Sequence, residues 1–534
     1  MPYSGRDMPD LQAELSSTQN VPEHSQNRTE VFAVHGADPE VLAYAMAKYS
    51  RSALSMKESL KEISSQRAEQ FLNTFYFQYG HRSIADLAHI AFAIERLSLL
   101  AAIELVDEQR WDGQERSTRY QNFRKSGWYL PEFAADAAAR ARYVESIESS
   151  FTAYHQVADG MLAIYKQQVV CPPEMKPEAY ERTLRARAFD VARYLLPLAT
   201  NTSLGQIVNA RTLETQISRL LSHPVAEIRQ LGESLREAAS TPAWNVYSGD
   251  LAGLQKRIAE SDPELAEEAR AMLTREVCPA PTLVKYATPN YYQMETRREL
   301  AQAASEIMAG APVAAAPLVD LVEKTESLEA EIAATLLYAH SHYSFRQVRD
   351  TVAALGEARC AEIVEMGVRH RGRHDELLRE FSAGQALRFD ILMDIGGFRD
   401  MHRHRRCTQI IQSFTALHGF DEPDGIAGTE LAPVFAQAMT AAHAAYVELA
   451  ASATPETASS AAYVLPLATR CRALFKMDFA EALYISELRS APQGHMSYRR
   501  VAWEMYRAVE RQHPALARHF RATDVHEPVD LLKR

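Results

Sequence analysis

Two short stretches of this chain concentrate the side chains that bind anions. One is Arg403-His404-Arg405, inside the run MHRHRRCTQIIQSF. Two guanidiniums flanking an imidazole suit a phosphate or an electron-rich ring, because each guanidinium is planar, permanently charged and presents paired N–H groups. Taken alone, such a triplet is more commonly a solvated basic turn or an RNA contact. Arg369-His370-Arg371 makes the comparison within the same chain: it has the same composition but no continuation, and reads as exposed or as an accessory phosphate patch. The second stretch is Gln114-Glu115-Arg116-Ser117-Thr118-Arg119-Tyr120. A hydroxyl and a guanidinium two residues apart can grip a phosphate, while a nearby carboxylate orients a sugar hydroxyl. The plain alternative is a polar loop with a local salt bridge.

Composition limits what these residues could serve. At 534 residues the chain is too long for one ordinary core, so two or three domains are expected. Hydrophobic residues at 47% and charged residues at 24% are those of a soluble globular protein. No apolar run is long enough to span a bilayer. Net charge of -11 argues against general nucleic-acid binding, whereas a nucleotide monophosphate needs only a local basic pocket. Cys171, Cys278, Cys360, Cys407 and Cys471 stand far apart, without a CxxC pair, so neither a disulfide framework nor a zinc site is expected and a cytoplasmic location is the default. Residues 1–30 are polar and lack an apolar core, and read as a disordered tail rather than a secretory signal. Dinucleotide fingerprints, P-loops, HExxH and GxSxG are all absent.

The elements that must position these residues are mostly helical. Helical spacing predicts helices over Pro39–Met56, Asp136–Gln168 and Pro224–Ala239. Two apolar runs, Ala88–Val106 and Ala386–Phe398, are strands or buried helix, and each leads into one of the chemical stretches. Internal repetition organises the whole. LPLAT occurs at 196–200 and again at 465–469, and Tyr79-Gly-His-Arg-Ser83 parallels Ser341-His-Tyr-Ser344. A first domain over 31–285 and a second over 286–534 follow, the second carrying an insertion near 352–385.

Each chemical stretch resembles a different surviving part of RHRxxSxNExSxRY, the signature of the flavin-dependent thymidylate synthases. Arg403, His404 and Arg405 match its head, with Ser413 at its second serine. Glu115, Ser117, Arg119 and Tyr120 match its tail, with Gln114 in place of asparagine. The first half also resembles the family in Arg193 before LPL, in Asn209-Ala210-Arg211, and in Arg219 and His223. In the second half Ala462 replaces that first arginine and Asp478-Phe479-Ala480 replaces Asn-Ala-Arg, while Arg489 and His495 survive. His81 with Ser83 matches the family's His-Ser element. The lead-in to Arg403 departs from the family: Asp400, Met401 and His402 replace a glutamine-containing segment.

The resemblance implies an α/β fold, more strictly α+β, built as a tandem repeat with antiparallel sheets flanked by helices. It implies reductive methylation of dUMP to dTMP with methylenetetrahydrofolate, FAD and NADPH, and no cysteine nucleophile. Flavin would be held by Arg403, His404, Arg405, His81, Ser83, Asn209, Arg211 and His223. Substrate would be held by Gln114, Glu115, Ser117, Arg119, Arg193 and Arg403, with Arg489 and Arg219 as the base-polarising, catalytic arginines. Because the halves keep complementary sets, one composite site per chain is expected. The reciprocal combination, with Asp107 in place of the head arginine beside Ile411, Thr415 and Ala462, would repel a phosphate. A homodimer would resemble the family's tetramer, with no nucleic-acid or membrane partner. Two alternatives stay open: a diverged paralogue acting on another pyrimidine nucleotide, and a non-catalytic flavin- or nucleotide-binding protein. Whether the halves of the site meet within a chain or between chains is open at this point.

Overall fold

The computed structural model describes residues 32, 34, 36–48, 56–62, 65–73, 82–123, 126–133, 136–273, 276–323, 326–372, 375–526 and 530–532. The expected tail over 1–30 and His81 lie outside the described residues. Among the described residues seven strands form two antiparallel sheets. The first holds β1 (His89–Ser98), β2 (Asp112–Glu115) and β3 (Asn201–Asn209) in the order β1-β3-β2. The second holds β4 (Val319–Leu321), β5 (Leu387–Asp394), β6 (Thr408–Ile411) and β7 (Arg470–Met477) in the order β4-β5-β7-β6. The repeat is therefore structural: β1, β2 and β3 correspond to β5, β6 and β7, and β4 is an added edge.

Both ambiguous apolar runs contain a strand and then a helix. β1 passes directly into helix Leu99–Leu105, and β5 into helix Ile395–Met401. The change is set by capping. Ser98 accepts from the Ala101 N–H at 2.9 Å, and Asp394 accepts from the Gly397 N–H at 2.7 Å. Each satisfies a donor that the first helical turn leaves unpaired. Other donors of these turns go to the LPLAT segments: Leu99 and Leu100 donate to the carbonyls of Thr200 and Leu198, while Ile395 and Gly396 donate to those of Thr469 and Leu467.

The two LPLAT segments also pair with each other across a pseudo-two-fold axis. Leu198 and Ala199 donate to Leu465 and Tyr463; Leu467 and Ala468 donate to Leu196 and Tyr194, all at 2.9–3.0 Å. Pro197 and Pro466 face each other at the centre. They form the non-hydrogen-bonded pair of this short ladder, the position where a residue without an N–H costs nothing. Around this axis helix Ala137–Gln168 packs on Ala432–Ala450, and a single hydrophobic cluster runs from Leu99 and Leu198 through Leu467 to Val509. The described residues from Asp38 onward form one compact unit.

A buried polar set repeats about the same axis with two members exchanged. In the first half Glu227 accepts from the Ser98 hydroxyl at 2.7 Å and from the Tyr463 hydroxyl at 2.6 Å. In the second half Asp394 stands where Ser98 stands and Ser497 where Glu227 stands. The Ser497 hydroxyl donates to Asp394, and the Tyr194 hydroxyl approaches it at 3.5 Å. Each carboxylate thus meets a hydroxyl of its own repeat and a tyrosine of the other. Burial raises both carboxyls, Asp394 to about 6.

Candidate active site

Helix Ile395–Met401 ends beside the first repeat, and its last turn carries Asp400. A carboxylate in a last turn faces the negative end of the helix dipole. Guanidiniums from both repeats compensate. Burial would raise the Asp400 carboxyl, but Arg193, Arg403, Arg119 and Arg489 together hold it below the usual carboxylate range. Arg193 Nη1 lies 3.6 Å from Asp400 and 3.5 Å from the Thr118 hydroxyl. It is 2% exposed, and its Nε and Nη2 have no partner among the described residues.

Arg119 is held bidentately by Asp190, one turn before Arg193, with Nε at 2.8 Å and Nη2 at 3.3 Å. Its Nη1 donates to the Tyr498 hydroxyl at 3.0 Å. The Tyr498 ring lies near both Arg119 and Arg489, with guanidinium carbons 5.9 and 5.5 Å from its centroid. Arg489 Nε donates to His404 Nε2 at 2.8 Å. His404 is 5% exposed, and burial chiefly lowers its basicity, so the neutral imidazole can accept from a guanidinium. Nearby, Arg399 pairs with Glu115 at the end of β2. Ser117 accepts from the Arg119 N–H at 3.2 Å, shaping the turn that presents the guanidinium. Arg119 and Arg193 of the first repeat thus meet Arg403, His404 and Arg489 of the second within one chain.

The remaining candidates fall elsewhere. Arg405 turns away: its guanidinium sits 5.4 Å from the Trp111 ring centroid, and burial pushes it down to about 10. Arg211, Arg219 and His223 line a cavity of about 1720 Å³ with Asp107, Ser413 and Ala462, at the reciprocal position. There Arg211 pairs with Glu376 at 3.0 Å and Arg219 with Glu108 at 2.9 Å. Asn209 caps helix Ala210–Leu221 through the Thr212 N–H. Ser83 and Gln114 are exposed. The carboxylates expected to repel a phosphate have local partners: Arg379, from the inserted segment, reaches Asp107 at 2.5 Å. Arg369 and His370 are tied to Glu299. Sequence reasoning passed over Asp190, Arg399 and Tyr498. Asp190 was discernible as an acid one turn before Arg193; Tyr498 belongs to no recognised motif.

The family described as thymidylate synthase complementing protein matches residues 32–242 and again 320–515. The chain belongs to this family. It matches a UPF0159 protein of Chlamydia pneumoniae at 27% identity, over 94% of this chain and 93% of that protein. It also matches a flavin-dependent thymidylate synthase of Clostridium tetani at 28% identity, over 40% of this chain and 83% of that protein, as fits a duplicated domain. The solved flavin-dependent thymidylate synthase ThyX from Helicobacter pylori, complexed with FAD and dUMP, matches at 16% identity and a TM-score of 0.26, covering 38% of this chain and 89% of that one. No helix among the described residues is long and apolar enough to cross a membrane.

Proposed function

We propose that this chain is a flavin-dependent thymidylate synthase whose two repeats share one composite site, methylating dUMP with methylenetetrahydrofolate, FAD and NADPH. One observation carries the reading. Arg193 lies 3.6 Å from Asp400, the charges of Arg403, Arg119 and Arg489 also act on that carboxylate, and Asp190 and Asp394 are the further acids of the cluster. Guanidiniums still outnumber carboxylates there, as suits a phosphate monoester, and they include a buried arginine with two donor atoms that lack partners among the described residues. Buried donors without partners are costly, and a bound anion would satisfy them.

In this reading Arg119 and Arg193 bind the phosphate, Ser117 shapes their turn, and Glu115 orients the sugar from its pair with Arg399. Arg489, oriented by His404, polarises the pyrimidine; Arg219, on the cavity side, is left with a structural pairing. For the flavin, the donor set is cationic and ring-compatible, with Arg403 at the cluster, Arg405 beside Trp111, and Arg211 and His223 lining a cavity large enough for a dinucleotide. Bound FAD would carry the hydride, and the protein's part would be to position and polarise. Assembly as a homodimer belongs to the same proposal.

The test is incubation with dUMP tritiated at C5, methylenetetrahydrofolate and NADPH. Tritium release with dTMP identified by mass spectrometry is expected; neither, in a preparation that retains FAD, refutes catalysis. The second reading, a nucleotide-binding protein without turnover, is favoured by the acid partners already holding Arg119 and Arg193. Dialysis showing bound dUMP without tritium release would select it.

A further inference from the structure

The phosphate site contains its own carboxylate. Asp400 lies 3.6 Å from Arg193, in the last turn of a helix whose following residues supply Arg403 and His404. Unlike Asp190, which is locked bidentately to Arg119, Asp400 makes one long contact and its side chain is 20% exposed. It is thus a fixed negative charge at the rim of the arginine cluster. A carboxylate there does not strengthen anion binding. It subtracts one charge from the field that a ligand meets, and like charges brought together in a partly buried site repel strongly.

We infer that Asp400 is a specificity-determining residue that matches the site to nucleoside monophosphates and disfavours nucleoside di- and triphosphates. The inference rests on the phosphate-site reading above. With Asp400 ionised, Arg119 and Arg193 each face a carboxylate, so the positive excess of the cluster is small and suits a monophosphate. A diphosphate would bring further negative charge against the Asp400 carboxylate, 3.6 Å from the arginine it must share. Specificity of this kind comes from a repulsive element as much as from an attractive one. Removing the charge at Asp400 would leave the arginines in place and open the site to the larger anion.

The experiment is calorimetric titration of the full chain at pH 8 with dUMP and dUDP, and with inorganic phosphate and pyrophosphate as base-free probes. Wild type is expected to prefer the monophosphate. Asp400→Asn, of the same size, should raise affinity for dUDP and pyrophosphate at least tenfold relative to their monophosphate counterparts. An unchanged ratio in a folded variant overturns the inference while leaving the phosphate site standing. Failure of wild type to bind any of the four ligands removes the phosphate-site reading and the inference with it. Should Asp400→Asn not fold, Asp400→Ser gives the same comparison.

Discussion

Replacing Arg193 with methionine separates a binding role from a structural one. Arg193 is 2% exposed, its contact to Asp400 is 3.6 Å, and its Nε and Nη2 lack partners among the described residues. Leaving a buried donor unpaired costs about 1–3 kcal/mol, so methionine relieves roughly 2–6 kcal/mol from two such atoms. Breaking a buried ion pair by removing one partner costs about 3–5 kcal/mol, but Asp400 keeps Arg119, Arg403 and Arg489 nearby, which lowers that cost. The two effects offset, and the net change in folding stability should lie within about 2 kcal/mol of zero. Binding should change far more. A charge-assisted hydrogen bond to phosphate contributes about 1.5–3 kcal/mol, so the dUMP dissociation constant should rise roughly 10- to 150-fold. Denaturant titration of the ligand-free protein and calorimetry with dUMP measure the two quantities on one preparation. Unchanged dUMP affinity, with stability lost by more than about 3 kcal/mol, would mean that Arg193 is a core ion-pair residue and that the charge argument is wrong.

Asp394 has a raised carboxyl, near 6, so the folded state holds its proton more tightly than the unfolded chain does. Its contribution is greatest below the unfolded value near 4 and is lost as pH rises toward 6. Stability of wild type minus that of Asp394→Asn should therefore fall by about 2–3 kcal/mol between pH 4 and 7, and a flat difference in urea titrations would contradict the assignment. Arg379→Ala leaves Asp107 without its 2.5 Å partner and should cost about 2 kcal/mol or more, while the double change with Asp107→Ala should cost less than the sum, as a double-mutant cycle would record. Residues 31–285 and 286–534 expressed separately should lack cooperative thermal unfolding, because each would expose an unpaired LPLAT edge and half of a shared core. A sharp calorimetric transition in either half would refute this.

The duplication was legible because LPLAT recurs and because the two motif fragments complement one another. The split of Ala88–Val106 and Ala386–Phe398 into strand and helix was not. Leu99–Leu105 is buried at nearly every position, so neither a two-residue nor a 3.6-residue period could appear; the break is encoded in single capping residues, Ser98 and Asp394. Of the arginine cluster, Arg119, Arg193, Arg403 and Arg489 stand at positions that motif spacing singles out. Asp400 registered only as a departure from a pattern, because its meaning depends on arginines brought in from residue 119 onward and from residue 489. Arg405, Arg211 and His223 show the converse: motif adjacency did not place them at the arginine cluster, because a side chain's direction is fixed by packing that spacing does not encode.

The exchanged acids at the pseudo-two-fold axis also constrain how the two repeats could have diverged. If both began alike, the present state required at least two changes in all: one in each repeat from a shared serine pair, or both in one repeat from a pair already carrying one acid. Acquiring the second acid first would have packed two carboxyls together where residues such as Ser98 and Asp394 are essentially inaccessible to water. Losing the first acid first leaves two hydroxyls that can hydrogen-bond each other, a state a folding chain can survive. The permissible path therefore runs through serine at both positions, and it has a direction. A chimera that trades helix Ala226–Ser240 for Met496–Gln512 without the paired strand end would re-create that ancestor, whereas the opposite trade would place aspartate against glutamate and fail to assemble.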